Sequence, residues 1–114
     1  MSDAELGPED LKIITLARST RARVASAEGA AVRDETGRTY AAAAVALPSL
    51  QLSALRLAVA MASSSGASAL EAAALVTAAD HPDPGDLAAV RDLGPDALVF
   101  LAGPDGTVRD TLKP

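Results

Sequence analysis

The sequence contains no cysteine and no tryptophan, and His81 is its single histidine. The absence of cysteine excludes disulfides, thiolate nucleophiles and thiolate metal sites. One histidine also excludes any site built on two or more imidazoles from a single chain. Only Tyr40 and Phe100 are aromatic, 2% of the residues, so the chain cannot form the base-stacking surface that single-strand binders use.

Clustered positive charge and long apolar runs are also missing. Ten Lys and Arg residues stand against fifteen Asp and Glu residues, and the net charge of −5 argues against broad binding to nucleic-acid phosphates. No stretch approaches the roughly 20 apolar residues of a membrane span. Residues 1–10 are acidic without an apolar run, so we expect neither a signal nor a transit peptide. These features favour a cytoplasmic protein without nucleic-acid or membrane partners.

Alanine dominates the composition, with 27 residues among 114. Alanine adds little buried area, so the core must come mainly from Leu, Val and Ile, each contributing roughly 1.5–3 kcal/mol when buried. A chain of this length predicts one domain over residues 1–114, for which association with other subunits would help stability.

The first half of the chain predicts a helix followed by a β-hairpin. Pro8 suits the first helical position, and an apolar stripe follows at helical spacing. Its members are Leu11, Ile14, Ala17 and Val24, with Ile13 and Leu16 beside them. Residues 29–33 and 38–47 predict two strands, joined by a turn in which Gly37 favours a positive φ.

The second half alternates helices and strands. Ser49 is the predicted N-cap of a helix through Ser64, and a further helix starts at Asp83 and ends at Leu93. Buried strands are predicted over residues 69–78 and 97–102, and a last strand over residues 107–112. The order α-β-β-α-β-α-β-β predicts an α/β sheet with helices on its faces.

Three segments, in this order and spacing, resemble motifs of the small homo-oligomeric cytidine deaminases. Residues 28–40 resemble the family's first hairpin, "VGAA" with an acidic-Gly turn and a "Y" strand. Residues 49–56 lie where the family has "GLTICAER", and residues 82–86 where it has "PCGAC". The resemblance implies a three-layer α/β/α sandwich with a mixed sheet of about five strands, and a homo-oligomer, either dimer or tetramer.

The resemblance also implies positions for the family's chemistry, in which a zinc-bound water attacks the base and a Glu moves the proton. The zinc ligands fall on Ser53, Asp83 and Asp86, and the Glu falls on Leu55. A neutral hydroxyl is a poor zinc ligand, and carboxylates favour hard cations with many oxygen ligands. Leu55 has no proton to transfer. We therefore expect neither bound zinc nor deaminase catalysis.

The segment from Asp80 to Asp86 has three alternative interpretations. As a helix start, Asp83 is the N-cap, Pro84 the first residue and Asp86 the third-position acid of a capping-box-like pattern. Alternatively, His81, Asp83 and Asp86 form a hard-metal site, or the segment is an anionic docking surface. Of these three interpretations, the helix start is favoured. In the preceding helix, Arg56 is expected to form an ion pair.

Three functions remain open from the sequence. The first is a non-catalytic interaction or regulatory module, with a possible protein partner. The second is a sensor that binds a base or nucleoside without turnover. The third is a hydrolase with an atypical metal shell of Ser53, His81, Asp83 and Asp86. The family resemblance implies a pocket lined by Ser26, Ala46, Leu47, Ser53, Leu55, Pro82 and Asp83.

Overall fold

The computed structural model describes residues 6–114, so the start of the acidic segment discussed above, residues 1–5, lies outside it. Three helices and seven strands occur in the described range. They are α1 (Pro8–Arg23), β1 (Glu28–Asp34), β2 (Thr39–Ala43), β3 (Val45–Leu47), β4 (Leu50–Leu52), α2 (Ala54–Ser64), β5 (Leu70–Thr77), α3 (Pro84–Leu93), β6 (Leu98–Ala102) and β7 (Val108–Leu112). No helix among these is long and apolar enough to cross a bilayer.

Five of the strands form the mixed sheet that was predicted. Their order is β2-β1-β5-β6-β7, and β5 and β6 are parallel while the other neighbours are antiparallel. Helix α3 connects the two parallel strands. Helix α1 packs on one face of the sheet, and α2 and α3 pack on the other. The three-layer α/β/α architecture is therefore confirmed.

Small residues in β1 bring α1 unusually close to the sheet. A Cβ at Gly29 would overlap the carbonyl oxygen of Ala17 and approach Cβ of Arg21 to 2.8 Å. Ile13, Ile14 and Ala17 are buried as predicted, but the predicted stripe members Leu11 and Val24 are 38% and 54% exposed. The sheet covers only one narrow side of α1. Leu11 and Val24, the first and last members of the predicted stripe, therefore lie outside the covered area.

The turn of the first hairpin is organised around the carboxylate of Asp34. Its Oδ1 accepts hydrogen bonds from the backbone N–H groups of Thr36 and Arg38, and the Tyr40 hydroxyl donates to Oδ2 at 2.9 Å. Burial opposes ionisation of Asp34, but these hydrogen bonds outweigh it and lower its pKa. Gly37 has φ 87°, which confirms the predicted role of glycine in this turn.

The predictions for residues 38–53 were wrong in two respects. The strand predicted over residues 38–47 stops at Ala43, and the chain then leaves the main sheet to form a second hairpin, in which β3 pairs with β4. Ser49 lies in the turn of that hairpin and is not a helix cap. The helix begins later, because the Ser53 side chain accepts the N–H of Arg56 and thereby caps α2. The remaining predicted strands agree with the structure to within one residue at each end.

Candidate functional site

The first turns of α2 and α3 meet on one face of the sheet, and side chains 33 residues apart in sequence contact each other there. Ser53 Oγ, at the start of α2, donates a hydrogen bond of 2.7 Å to Oδ1 of Asp86 in the first turn of α3. The same hydroxyl accepts the N–H of Arg56, so both its donor and acceptor functions are used within the protein.

A guanidinium supplies the positive charge at this junction. Nε of Arg56 lies 3.1 Å from Oδ1 of Asp86, and Nη2 lies 3.7 Å from Oδ1 of Asp83. A Cβ at Gly85 would overlap Nη2 of Arg56, so the guanidinium occupies the space beside this glycine. The predicted ion pair of Arg56 is thus present, and it is formed within the chain.

The structure confirms most of the predicted start of α3 and corrects one detail. Asp83 is the N-cap and accepts the N–H of Gly85 at 2.7 Å, and Pro84 is the first helical residue. Asp86 does occupy the third position, but its carboxylate is directed to Ser53 and Arg56, the charged partner on α2. It therefore joins two helices, whereas a capping box would place it against its own helix.

Glu28, at the start of β1, lies within electrostatic range of the two aspartates and was missed by the sequence analysis. Burial raises its pKa, nearby Asp86 raises it further, a hydrogen bond with Thr77 lowers it, and Asp83 raises it again. Glu28 pairs in register with Thr77, the last residue of β5 before the loop that leads to α3. No local sequence signal indicates this proximity, because it depends on strand pairing across almost 50 residues.

Leu55 has no exposed surface and belongs to the core layer between α2, α3 and the sheet. The next residue after the cap of α2, Ala54, is equally buried. The position at which the family resemblance places a proton-transferring Glu therefore holds hydrocarbon packed among hydrocarbon. Such an environment can neither deliver nor accept a proton.

The donor set at the junction does not fit zinc. Ser53 is a neutral hydroxyl, and the Asp86 carboxylate, 2% exposed, already contacts a hydroxyl and a guanidinium cation. A metal ion at this carboxylate would compete with the positive charge of Arg56. Within residues 6–114 no group of three or more His, Asp or Glu side chains is arranged to hold a metal ion. His81, the remaining member of the alternative metal set, lies exposed in the loop before α3.

The other residues of the predicted pocket lie in different surroundings. Ser26 Oγ accepts the N–H groups of Glu28 and Ala44, which fixes the chain at the exit of β2. Ala46 and Leu47 belong to the β3–β4 hairpin, where Leu47 is 55% exposed. Pro82 is partly buried in the loop before α3. The predicted pocket lining stays a prediction.

A cavity of about 390 Å³ opens elsewhere, between the outer side of α2 and the start of β2. It is mostly apolar and contains one aromatic ring. Its lining residues are Tyr40, Leu57, Ala60, Met61, Ser64 and Ser65. None of these belongs to the predicted pocket.

Comparison with known proteins identifies the relatives of this chain. The family model described as cytidine deaminase-like matches residues 6–106. Among solved structures, the cytidine deaminase from Burkholderia pseudomallei has a TM-score of 0.77 at 23% identity, covering 90% of each chain. The cytidine deaminase from Mycobacterium leprae has a TM-score of 0.69 at 20% identity, covering 93% of this chain and 94% of that one.

A point mutant of the Mycobacterium tuberculosis cytidine deaminase has a TM-score of 0.59 at 21% identity, covering 75% of this chain and 82% of that one. No curated protein matches the chain. At these identities the structural matches establish the fold.

Proposed function

This chain belongs to the cytidine deaminase-like family, and we propose that it is a non-catalytic member that acts as an interaction or regulatory module. The observation that supports this proposal is the closed contact among Ser53, Asp86 and Arg56 at the junction of α2 and α3. Each of these polar groups has its partner within the chain. The junction is therefore suited to holding two helices together and poorly suited to binding a metal and a substrate.

The buried Leu55 supports the same proposal through a second, independent requirement of the chemistry. General acid–base assistance contributes roughly 10²–10⁴-fold to enzymatic rates and needs a titratable group beside the reacting atoms. Leu55 is not titratable and has no exposed surface. A chain lacking both suitable ligands and the proton carrier should not deaminate a pyrimidine nucleoside.

The test combines metal analysis with an activity assay on the purified chain. We expect less than stoichiometric zinc by elemental analysis, and no ammonia release from cytidine with added Zn²⁺, Mn²⁺ or Mg²⁺. An active cytidine deaminase serves as the positive control. Tightly held stoichiometric zinc, or metal-dependent turnover that disappears in Ser53→Ala, would contradict the proposal and favour the hydrolase with an atypical metal shell.

A homo-oligomer, dimer or tetramer, is part of the proposal, and the outer side of α2 supports it. Arg56 is the only charged residue among the eleven of this helix, although its outer side, including Met61 at 37% exposed, faces away from the core. Exposed apolar patches rimmed by polar residues are typical of protein–protein interaction sites. The apolar β3–β4 hairpin, with Leu47 and Leu50 about half exposed, supplies a second uncovered surface.

Light scattering at micromolar concentration tests this part of the proposal. We expect a mass of two or four chains, and a shift toward the monomer in Met61→Glu. Ser63→Glu introduces the same charge on the same helix at an exposed position outside the cavity, so it should leave the mass unchanged. A monomeric wild-type chain would contradict the assembly without affecting the proposal of lost catalysis. The proposed role includes a different protein as partner and a cytoplasmic location.

The cavity beside Tyr40 favours one second candidate function, a sensor that binds a base or nucleoside without converting it. A volume of about 390 Å³ with an aromatic side chain in its wall has the size of a small-molecule site. Thermal shifts with nucleosides, bases and nucleotides would test it. A shift that is lost in Tyr40→Ala would support the sensor, and a flat screen would eliminate it.

A further inference from the structure

Of the three helices, α3 has the least apolar anchoring. Val90 is its single buried apolar residue, and the other buried residue of the helix is the charged Asp86. By comparison, α1 buries Ile13, Ile14 and Ala17, and α2 buries five apolar residues. Local opening is easiest where few apolar contacts hold an element in place. Helix α3 therefore has the structural features of a unit that opens separately.

A polar contact provides much of the attachment at the N-terminal end of α3. We call Asp86, Ser53 and Arg56 the latch. Asp86 is 2% exposed and contacts Ser53 at 2.7 Å and Arg56 at 3.1 Å, both from the first turn of α2. A buried carboxylate that loses its cation is strongly destabilised. Because Asp86 lies on α3, it regains water most simply when the N-terminal end of α3 moves away from α2.

The C-terminal end of α3 is attached differently. A Cβ at Gly94 would lie 2.7 Å from the carbonyl oxygen of Leu70 and 3.0 Å from Cβ of Ala97, so the backbone packs directly against the start of β5. The Gly94 N–H also donates to the carbonyl of Val90 at 2.7 Å. This end is closely packed against the backbone at Leu70 and does not include the latch residues. It is the natural pivot.

Glu28 opposes the latch. Its carboxyl group is close enough to Asp86 and Asp83 for their charges to raise its pKa, and the guanidinium of Arg56 is the cation bound to both aspartates. Arg56 pairs with the two aspartates, and the charges of these aspartates disfavour the ionised form of Glu28. Ionised Glu28 adds repulsion that is relieved when α3 moves outward.

We propose that α3 is a hinged element that pivots at Gly94, and that the latch of Asp86, Ser53 and Arg56 controls its opening. Opening uncovers the apolar surface of α2 and β5 against which α3 packs in the closed state. Such a switch neither requires nor excludes catalysis, so it stands apart from the proposed function. It would give the fold two states that differ in exposed apolar surface.

Hydrogen exchange of the full chain at neutral pH, followed by mass spectrometry, tests the hinge. In the wild-type chain we expect the amides of α3 to be less protected than those of β5. Arg56→Gln should accelerate exchange in α3 by at least about tenfold more than in α1, because the buried carboxylate has lost its cation. The matched control is Arg91→Gln, which makes the same substitution at an exposed position of α3 outside the latch.

Glu28→Gln provides a test in the opposite direction and does not threaten folding. Removing the repelling charge should slow exchange in α3 while leaving α1 unchanged. Equal protection of α3 and β5 in the wild type would overturn the proposal. So would a uniform acceleration of all elements in Arg56→Gln, because that would report global unfolding. An Arg56→Gln chain that does not fold leaves the decision to Glu28→Gln, for which unchanged or faster exchange in α3 would refute the hinge.

Discussion

Replacing Leu55 by glutamate asks whether position 55 belongs to the hydrophobic core or to a polar pocket. Leu55 has no exposed surface and packs in the layer formed by α2, α3 and the sheet. Truncation to alanine at such a position costs about 2–5 kcal/mol. The glutamate variant adds the cost of placing a carboxyl group in the same space.

The added cost follows from the effect of burial on ionisation. Full burial raises a carboxyl pKa by up to about 3–5 units, so the buried group takes up a proton, and holding it neutral costs about 3–4 kcal/mol at neutral pH. Native domains have free energies of unfolding of about 5–15 kcal/mol. We therefore expect Leu55→Glu to be largely unfolded or to lose more stability than Leu55→Ala. Leu55→Met keeps the volume and should lose less than about 1.5 kcal/mol.

Urea unfolding followed by far-UV circular dichroism measures these differences, since the chain has no tryptophan to report by fluorescence. The order Met, Ala, Glu in increasing loss of stability supports a core position. A Leu55→Glu chain that is folded and within about 1 kcal/mol of the wild type would refute this reasoning, because an ionised carboxylate is tolerated only where water reaches it.

Three further predictions concern other contacts. Gly29→Ala should destabilise the fold by about 1–3 kcal/mol or more in urea unfolding, because its Cβ would overlap the carbonyl oxygen of Ala17, whereas Gly7→Ala meets no atom within 4 Å and should be nearly neutral. The pKa of Glu28 is raised above its ordinary 4.5, so its contribution to stability is present below that pH and is lost as pH rises. Glu28→Gln should accordingly be more stable than the wild type at pH 7, with the difference vanishing on acidification, and an equal gain at all pH values would contradict this cause. The pKa of Asp34 is lowered from 3.8, so Asp34→Asn should be less stable than the wild type at neutral pH. The difference should shrink as the pH falls below 3.8 and Asp34 of the wild type becomes protonated, which thermal melts at several pH values can detect.

The family and the sheet were predictable because their signals are short and repeated. The Gly37 turn, the prolines at the starts of α1 and α3, and the apolar strands each depend on a few adjacent residues, and their order carried the resemblance. The β3–β4 hairpin was not predictable in this way. Its residues 45–52 combine apolar side chains with Pro48, which suggests a strand end followed by a helix. Only the pairing of β3 with β4 shows that both sides are extended.

In the candidate site, too, local contacts could be predicted from the sequence and long-range contacts could not. The cap at Asp83 was predicted because its partner, the N–H of Gly85, is two residues away. The orientation of the Asp86 carboxylate could not be predicted, because the backbone of its own helix and the distant side chains of α2 were both available as partners. The carboxylate contacts Ser53 and Arg56 because α2 and α3 lie next to each other on the same face of the sheet.

By itself the sequence determined what this chain cannot contain and where α1 and α3 begin: without cysteine and with one histidine, no thiolate site and no multi-imidazole site can form within one chain. The tertiary structure alone decided that Ser53, Arg56 and Asp86 contact one another, that Leu55 is buried and that Glu28 pairs in register with Thr77. The reason is physical. Caps and turns satisfy backbone groups within a few residues, whereas burial and charge pairing depend on which distant segments the sheet brings together.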